Sequence, residues 1–390
     1  MSHLLVLNAG SSSLKAALFA CGDPPEPVLR GAVDEIGTEA RLAFGGEAAA
    51  PLAGAAGRDH AAALDTLLAG MAGRVSGVRV AAVGHRIVHG GADFAEPVPL
   101  DAASLAALER LVPLAPLHQP HNLAGVRAAM AAFPEALQIG CFDTAFHRHH
   151  PLESDIFALP REYYARGVRR YGFHGLSYDF IAGQLAHIAP GLHAGRVAVA
   201  HLGAGASICG MRHGRSVASS MGFSTLDGLP MATRPGQIDP GVLLWLMTEE
   251  GMDAAAISDL LYCRSGLLGL SGLSGDMRVL EAAGMPETEE AIGYFTYRVR
   301  REIGATAAAL GGLDGIVFTG GIGENSARVR AEVCAGLGWL GVEIDAAANA
   351  DHAASIALPG AAVKVLVIPT DEERVIAHAA QAALVAAGGA

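Results

Sequence analysis

Positive charge is scarce in this chain, and lysine is nearly absent. The 390 residues carry 27 Lys+Arg against 39 Asp+Glu, a formal net charge of −12, and Lys15 and Lys364 are the only lysines. That balance excludes a nucleic-acid or anionic-membrane surface, which needs clustered cations. Long apolar runs are missing too. The longest stretches free of Asp, Glu, Lys and Arg, such as Val375–Ala390, hold 16 residues, short of the ~18–20 that cross a bilayer, so no membrane partner is expected. A signal peptide is not expected either, because the apolar run opens at Leu4 without a preceding basic residue and breaks at Asn8-Ala9-Gly10. Five scattered cysteines (Cys21, Cys141, Cys209, Cys263, Cys334) form no C-x-x-C pair, which reads as reduced thiols in a cytoplasmic protein. A Walker loop, G-x-x-x-x-G-K-[ST], is also absent.

What is present is core-forming material. Hydrophobic residues reach 51% and charged ones 17%, which excludes disorder, and the length predicts two or three domains. Leu4–Leu7, the small-residue break Asn8–Ser13 and Leu14–Ala20 read as strand, turn and strand. Val197–Ala200, His201–Gly205 and Ala206–Met211 repeat that unit about half a chain later, which suggests a duplicated architecture. Arg79–Val83, Leu137–Phe142, Gly315–Phe318 and Val363–Ile368 are short apolar runs typical of buried parallel strands. Asp101 is placed to cap a helix with Leu105, Leu108 and Val112 on one face. Glu289–Leu310 shows the clearest helical spacing, through Ile292, Phe295, Val299, Ile303, Thr306 and Leu310. Such alternation means an α/β fold, with a domain boundary near residue 147.

Three glycine-rich breaks, Asn8–Ser13, His201–Gly205 and Gly320–Asn325, each follow an apolar strand, where small residues let backbone N–H groups approach phosphate. The last is expected as a loop, with a helix starting about Ser326. Lys15 beside the first break is a compact charge suited to phosphate. Cations recur next to glycine or proline in Gly84-His85-Arg86-Ile87-Val88-His89-Gly90-Gly91, Tyr171-Gly172-Phe173-His174-Gly175 and Thr233-Arg234-Pro235-Gly236, which suggests an anion-binding cleft. His147-Arg148-His149-His150 lacks further ligands at metal-site spacing and reads as a solvated turn. Asp143 and Glu372 each follow an apolar strand and could start a helix or hold Mg²⁺.

Taken together, Asn8-Ala-Gly-Ser-Ser-Ser-Leu-Lys15, Gly84-His-Arg-Ile-Val-His-Gly-Gly91, Leu114-Ala-Pro-Leu-His118, Phe142-Asp-Thr-Ala-Phe146, Arg170-Tyr-Gly-Phe-His-Gly175, Asp276-Met-Arg278, Gly321-Ile-Gly-Glu-Asn325 and Pro369-Thr-Asp-Glu-Glu373 resemble the acetate kinase family, in its order and spacing. The resemblance implies an actin-like ATPase (ribonuclease H-like) fold, with two duplicated α/β domains around a nucleotide cleft. Residues 1–146 with a returning C-terminal helix, 374–390, would form one domain and 147–373 the other. It further implies a homodimer acting on ATP, Mg²⁺ (or Mn²⁺) and a short carboxylate, and giving ADP and an acyl phosphate. By position, Asn8 and Glu372 match the metal-linked residues and Lys15 the nucleotide-phosphate lysine. Arg86, Val88 and His118 match the carboxylate-substrate site, and Asp143, His174 and Arg234 the catalytic set. His201, Leu202, Gly203, Ala204 and Gly205, then Asp276, Met277 and Arg278, then Gly321, Ile322, Gly323, Glu324 and Asn325, match the ATP-binding segments. Val88 is the form associated with acetate rather than propionate. One departure stands out: Ala204 and Ala206 replace an Asn and a Ser usual in the family, removing two possible phosphate donors worth ~1–3 kcal/mol each.

The chemistry is self-consistent. A carboxylate is already ionised at neutral pH, so its obstacle is repulsion by the γ-phosphate, and cations should outnumber carboxylates around the reacting atoms. Arg86, Arg234 and His174 supply them, with Arg234 or His174 stabilising the equatorial oxygens of an in-line transfer. Asp143 is then expected to orient Arg, His or a metal-bound water rather than to remove a proton. Propionate kinase is the nearest alternative, and an actin-like ATPase without acyl transfer the more distant one.

Overall fold

The computed structural model describes every residue except Met1, Ser11, Ser12, Ala53, Leu117, Gly389 and Ala390. Parts of the first glycine-serine break and of the 114–118 motif, and the last two residues of the expected 374–390 helix, therefore lie outside the described residues. The chain forms two units, Met1–Arg148 with Asp371–Ala390, and His149–Thr370.

The first unit is built on β1 (Ser2–Ala9), β2 (Leu14–Ala20), β3 (Glu26–Asp34), β4 (Arg41–Phe44), β5 (Ala50–Pro51), β6 (Arg79–Ile87), β7 (Val98–Pro99) and β8 (Leu137–Phe142), in the sheet order β5-β4-β3-β2-β1-β6-β8-β7. The second holds β9 (Arg196–Leu202), β10 (Ala206–Arg212), β11 (Arg215–Ser219), β12 (Gly315–Thr319) and β13 (Lys364–Val367), in the order β11-β10-β9-β12-β13. The duplication is visible strand by strand. β1 pairs antiparallel with β2 and parallel with β6, and β9 pairs antiparallel with β10 and parallel with β12. The parallel centre is covered on both faces, so β12 is buried at every residue and its apolar run is continuous.

Local details differ from the sequence reading where backbone pairing outweighs composition. Asn8 and Lys15 are strand residues facing each other across the β1–β2 ladder, because the pairing runs on to Ala9 and Leu14 and Gly10 N–H closes the turn on Ser13 O (2.8 Å). Lys15 is an exposed residue of β2, the strand expected over Leu14–Ala20. Gly320–Asn325 is a short helix, not an open loop. Glu324 accepts the N–H of Gly320 (2.8 Å), and Ser326 caps the following helix Ala327–Ala335 by accepting from Val329 N–H (3.0 Å). Asp101 does cap its helix, accepting from Ser104 N–H (2.7 Å), but the helix stops at Glu109 and Val112 falls in the next turn, beside Pro113. The helix Pro286–Leu310 buries Ile292, Phe295, Val299, Ile303, Thr306 and Leu310.

Residues 371–373 belong with the first unit. Arg30 on β3 binds Asp371 (3.1 Å) and Glu373 (2.5 Å), and the helix Glu372–Ala386 packs on β6. The approach is close enough that a Cβ on Gly84 would lie 2.4 Å from Ile376 Cγ2. Among the described residues no helix is long and apolar enough to cross a membrane.

Candidate active site

In the first unit the chemistry gathers where neighbouring parallel strands end. Arg86 is near the end of β6 and Asp143 directly follows β8. Arg86 donates from Nε to Asp143 Oδ1 (3.0 Å) and from Nη2 to Oδ2 (2.8 Å), while its Nη1 lies 3.4 Å from Glu372 Oε2. This two-pronged contact uses the Nε/Nη2 edge of the guanidinium, and Glu372 faces its Nη1. Desolvation opposes the charge on Arg86, but Asp143 and Glu372 outweigh it and raise its pKa. Burial pushes the Asp143 carboxyl up, against the pull of Arg86 and His118. Here one guanidinium meets two carboxylates, so the expected excess of cations is not found in this cluster. A cation withdrawn from water needs such compensation.

Side chains from the helix Gln119–Ala132, which starts at His118, hold the strand end in place. Asn122 accepts from Val88 N–H (2.9 Å) and donates to Ala9 O (2.6 Å). Gln119 exchanges hydrogen bonds with the backbone of His89 (3.2 and 3.0 Å), and Thr144 accepts from Gly90 N–H (3.0 Å). The Val88 side chain is buried. His147 is fully buried and His150 bonds Ser216 (2.7 Å), so the 147–150 run is not a solvated turn. Among the described residues no group of three or more His, Cys, Asp or Glu could hold a metal ion.

In the second unit, His174 starts the helix Gly175–Ile188 in the left-handed region (φ 58°), a conformation unusual for a residue with a side chain. Its Nδ1 lies 2.9 Å from Ser207 Oγ, and its ring stacks on His201 at 4.4 Å. His201 is in turn bonded through Nδ1 to Ser177 Oγ (2.8 Å). Arg234 donates from Nη1 to Thr225 O (2.9 Å) and has no ion pair among the described residues. Desolvation lowers its pKa. The two groups meet over Gly205, where an added methyl would lie 3.0 Å from His174 Nε2 and 3.1 Å from Arg234 Nη2. The Arg234 loop is seated on the turn at Gly266 (φ 64°), where a Cβ would come within 2.7 Å of Arg234 O.

Beside these groups lies a cavity of about 750 Å³ in the second unit. It is lined by Gly203 and Ala204, by Asp276, Met277 and Arg278, and by Gly321, Ile322 and Asn325, so three segments distant in sequence share one wall. His201, Leu202, Gly205, Gly323 and Glu324 do not line it. Glu324 is engaged by the N–H groups of Gly320 (2.8 Å) and Thr370 (3.1 Å). Ala204 is exposed at the cavity, whereas Ala206 is fully buried, so only the first of the two missing donors bears on this space. Arg330, fully buried, anchors the carbonyls of Gly323 and Glu324 (2.8 Å each) from beneath. Sequence reading missed Ser207, Tyr178, Asn122, Gln119 and Arg330, because no local spacing links them to the groups they support.

The Acetokinase family matches residues 3–378. The chain is 52% identical to the acetate kinase of Methylocella silvestris over 388 residues, 96% of both chains. It is 50% identical to that of Nitrobacter hamburgensis, over 97% of this chain and 95% of the relative. Among solved structures, Porphyromonas gingivalis acetate kinase superposes with a TM-score of 0.88 at 37% identity, over 98% of this chain and 100% of the other. A propionate kinase from Francisella tularensis gives 0.90 at 35%, over 97% and 99%.

Proposed function

The chain belongs to the acetokinase family and is an ATP-dependent phosphotransferase, and we propose that it moves the γ-phosphoryl group of ATP to acetate, reversibly, through the residues described above. The observation that carries this reading is Arg234. A half-buried guanidinium with no carboxylate partner among the described residues, beside His174 Nε2, is suited to the charge that spreads over the equatorial phosphoryl oxygens. The nucleotide occupies the 750 Å³ cavity, against Gly203, Asp276 to Arg278 and Gly321. Lys15, exposed on β2, offers a further cation to its phosphates.

The acceptor carboxylate pairs with Arg86, and Asp143 holds that guanidinium in register and takes no proton. Val88 bounds the methyl group and His118 flanks Asp143. Asn8 and Glu372 would hold Mg²⁺, or Mn²⁺ in its place. Asn8 offers an amide oxygen and Glu372 one carboxylate, which suits Mg²⁺, an ion that takes one or two carboxylates with phosphate oxygens rather than a protein cage. When bound, the ion neutralises phosphate charge. The substrates place the reaction in the cytoplasm. A second copy of the chain is the partner: the helix Pro240–Thr248 buries no residue and exposes Leu244, Trp245 and Met247 by half or more. Sedimentation at micromolar concentration should give twice the chain mass.

The decisive experiment traps acyl phosphate as its hydroxamate with formate, acetate, propionate and butyrate. Acetate is expected to lead. Propionate is the second reading, supported by the solved propionate kinase of similar fold. ATP hydrolysis without any hydroxamate would leave only an actin-like ATPase.

A further inference from the structure

The hydrogen bonds behind His174 settle more than its direction. The Ser207 hydroxyl oxygen lies 2.9 Å from His174 Nδ1 and 2.5 Å from the Tyr178 hydroxyl. Ser207 and Tyr178 are both fully buried. Both stand on rigid elements: Ser207 pairs with His201 across the β9–β10 ladder, and Tyr178 lies one turn after His174 on the same helix. Of two bonded hydroxyls a phenol is the stronger acid, so Tyr178 donates to Ser207. The single proton of Ser207 is then directed to Nδ1, which accepts it. An imidazole that accepts at Nδ1 carries its own proton on Nε2. Nε2 is the atom that reaches the point beside Gly205, where Arg234 Nη2 also arrives.

We propose that Tyr178 and Ser207 are positioning residues: the chain from Tyr178 O–H through Ser207 O–H to His174 Nδ1 locks the imidazole as its neutral Nε2–H tautomer. His174 thus presents a single hydrogen-bond donor to the transferring group, and Arg234 presents the charge. No proton has to move, because the acceptor is already a carboxylate. The purpose of the relay rests on the phosphoryl-transfer reading; its geometry does not.

The test is ¹⁵N spectroscopy of the full chain labelled at histidine, at neutral pH, with the His174→Gln spectrum identifying the resonances. Nδ1 of His174 is expected to be the bare nitrogen and Nε2 the protonated one. In Ser207→Ala that signature gives way to mixed tautomers, and kcat falls about tenfold while KM for ATP and acetate stays within about twofold, as for a displaced catalytic group. Tyr178→Phe removes only an oxygen and shifts both readouts the same way by less, and Ser207→Thr restores them. A protonated Nδ1 in the unaltered protein, or a Ser207→Ala spectrum that does not change, overturns the proposal. If the unaltered protein makes no acyl phosphate yet shows the Nε2–H tautomer, the kinase reading fails and the relay stands.

Discussion

Two half-buried arginines, one in each unit, live in opposite surroundings. Arg86 is gripped by Asp143 and faces Glu372, and these partners more than offset the cost of removing it from water. Arg234 is also desolvated but has no carboxylate partner among the described residues, only the Thr225 carbonyl as acceptor, and its pKa is lowered. A cation paired by the protein is held in a fixed place, ready to orient a substrate. An unpaired one keeps its charge for whatever anion arrives, at a cost to the empty protein. The same residue type thus does two jobs, and the neighbours decide which.

The contrast can be broken most directly by deleting each charge. Arg234→Ala should lower kcat by about 10²-fold or more, the scale of one lost electrostatic stabiliser, without lowering the melting temperature of the empty protein. Arg86→Ala leaves Asp143 buried and unpaired, so it should destabilise by roughly 3 kcal/mol as well as raise KM for acetate. Equal thermal losses in the two variants would erase the distinction. Gly205→Ala comes next. Its methyl would press on both His174 Nε2 and Arg234 Nη2, so turnover should fall at least about tenfold with the nucleotide Kd little changed; full turnover would show that the two groups do not share this point.

Smaller effects sharpen the picture of the first unit. Val88→Ala should shift the ratio of kcat/KM for propionate over acetate upward by about tenfold, the usual worth of one methylene, and an unchanged ratio would take Val88 out of the substrate wall. Acidity should act on stability there too. Burial lowers the His85 pKa to about 4, despite its bond to Gln138, and that of His89 to about 3, with Arg148 adding to the effect. Folded pKa values below the ordinary 6.5 mean that the unfolded chain takes up protons first. Stability is therefore full above about pH 6.5 and is lost as pH falls toward 4. Urea midpoints at about pH 7.5 and pH 5.5 should differ in that sense; identical midpoints would contradict it.

Much of this was legible in the amino-acid order. The two hairpins that start each sheet share a small-residue break after an apolar strand, and the six inward residues of Pro286–Leu310 follow helical spacing, because burial imposes those periods. Arg86, His174 and Arg234, cued by glycine or proline neighbours, and Asp143, cued by its place after an apolar strand, are found in two local clusters. Long-range pairing was not legible. Glu372 was counted with the wrong unit because its ties to Arg86 and, through Asp371 and Glu373, to Arg30 cross more than 280 residues. Ser207, 33 residues from His174, looked like one more small residue in a strand. Its meaning comes only from a partner on another element.

The first unit is interrupted: its sheet is written in the first 148 residues, but the helix lying against β6 is made only after the whole second unit. Until Ile376 arrives beside Gly84, that face of the nascent sheet stays bare and exposed to wrong partners. The second unit, contiguous in the chain, can complete itself in the meantime. A premature stop after Thr370 would thus spare the later-made half and cripple the one made first.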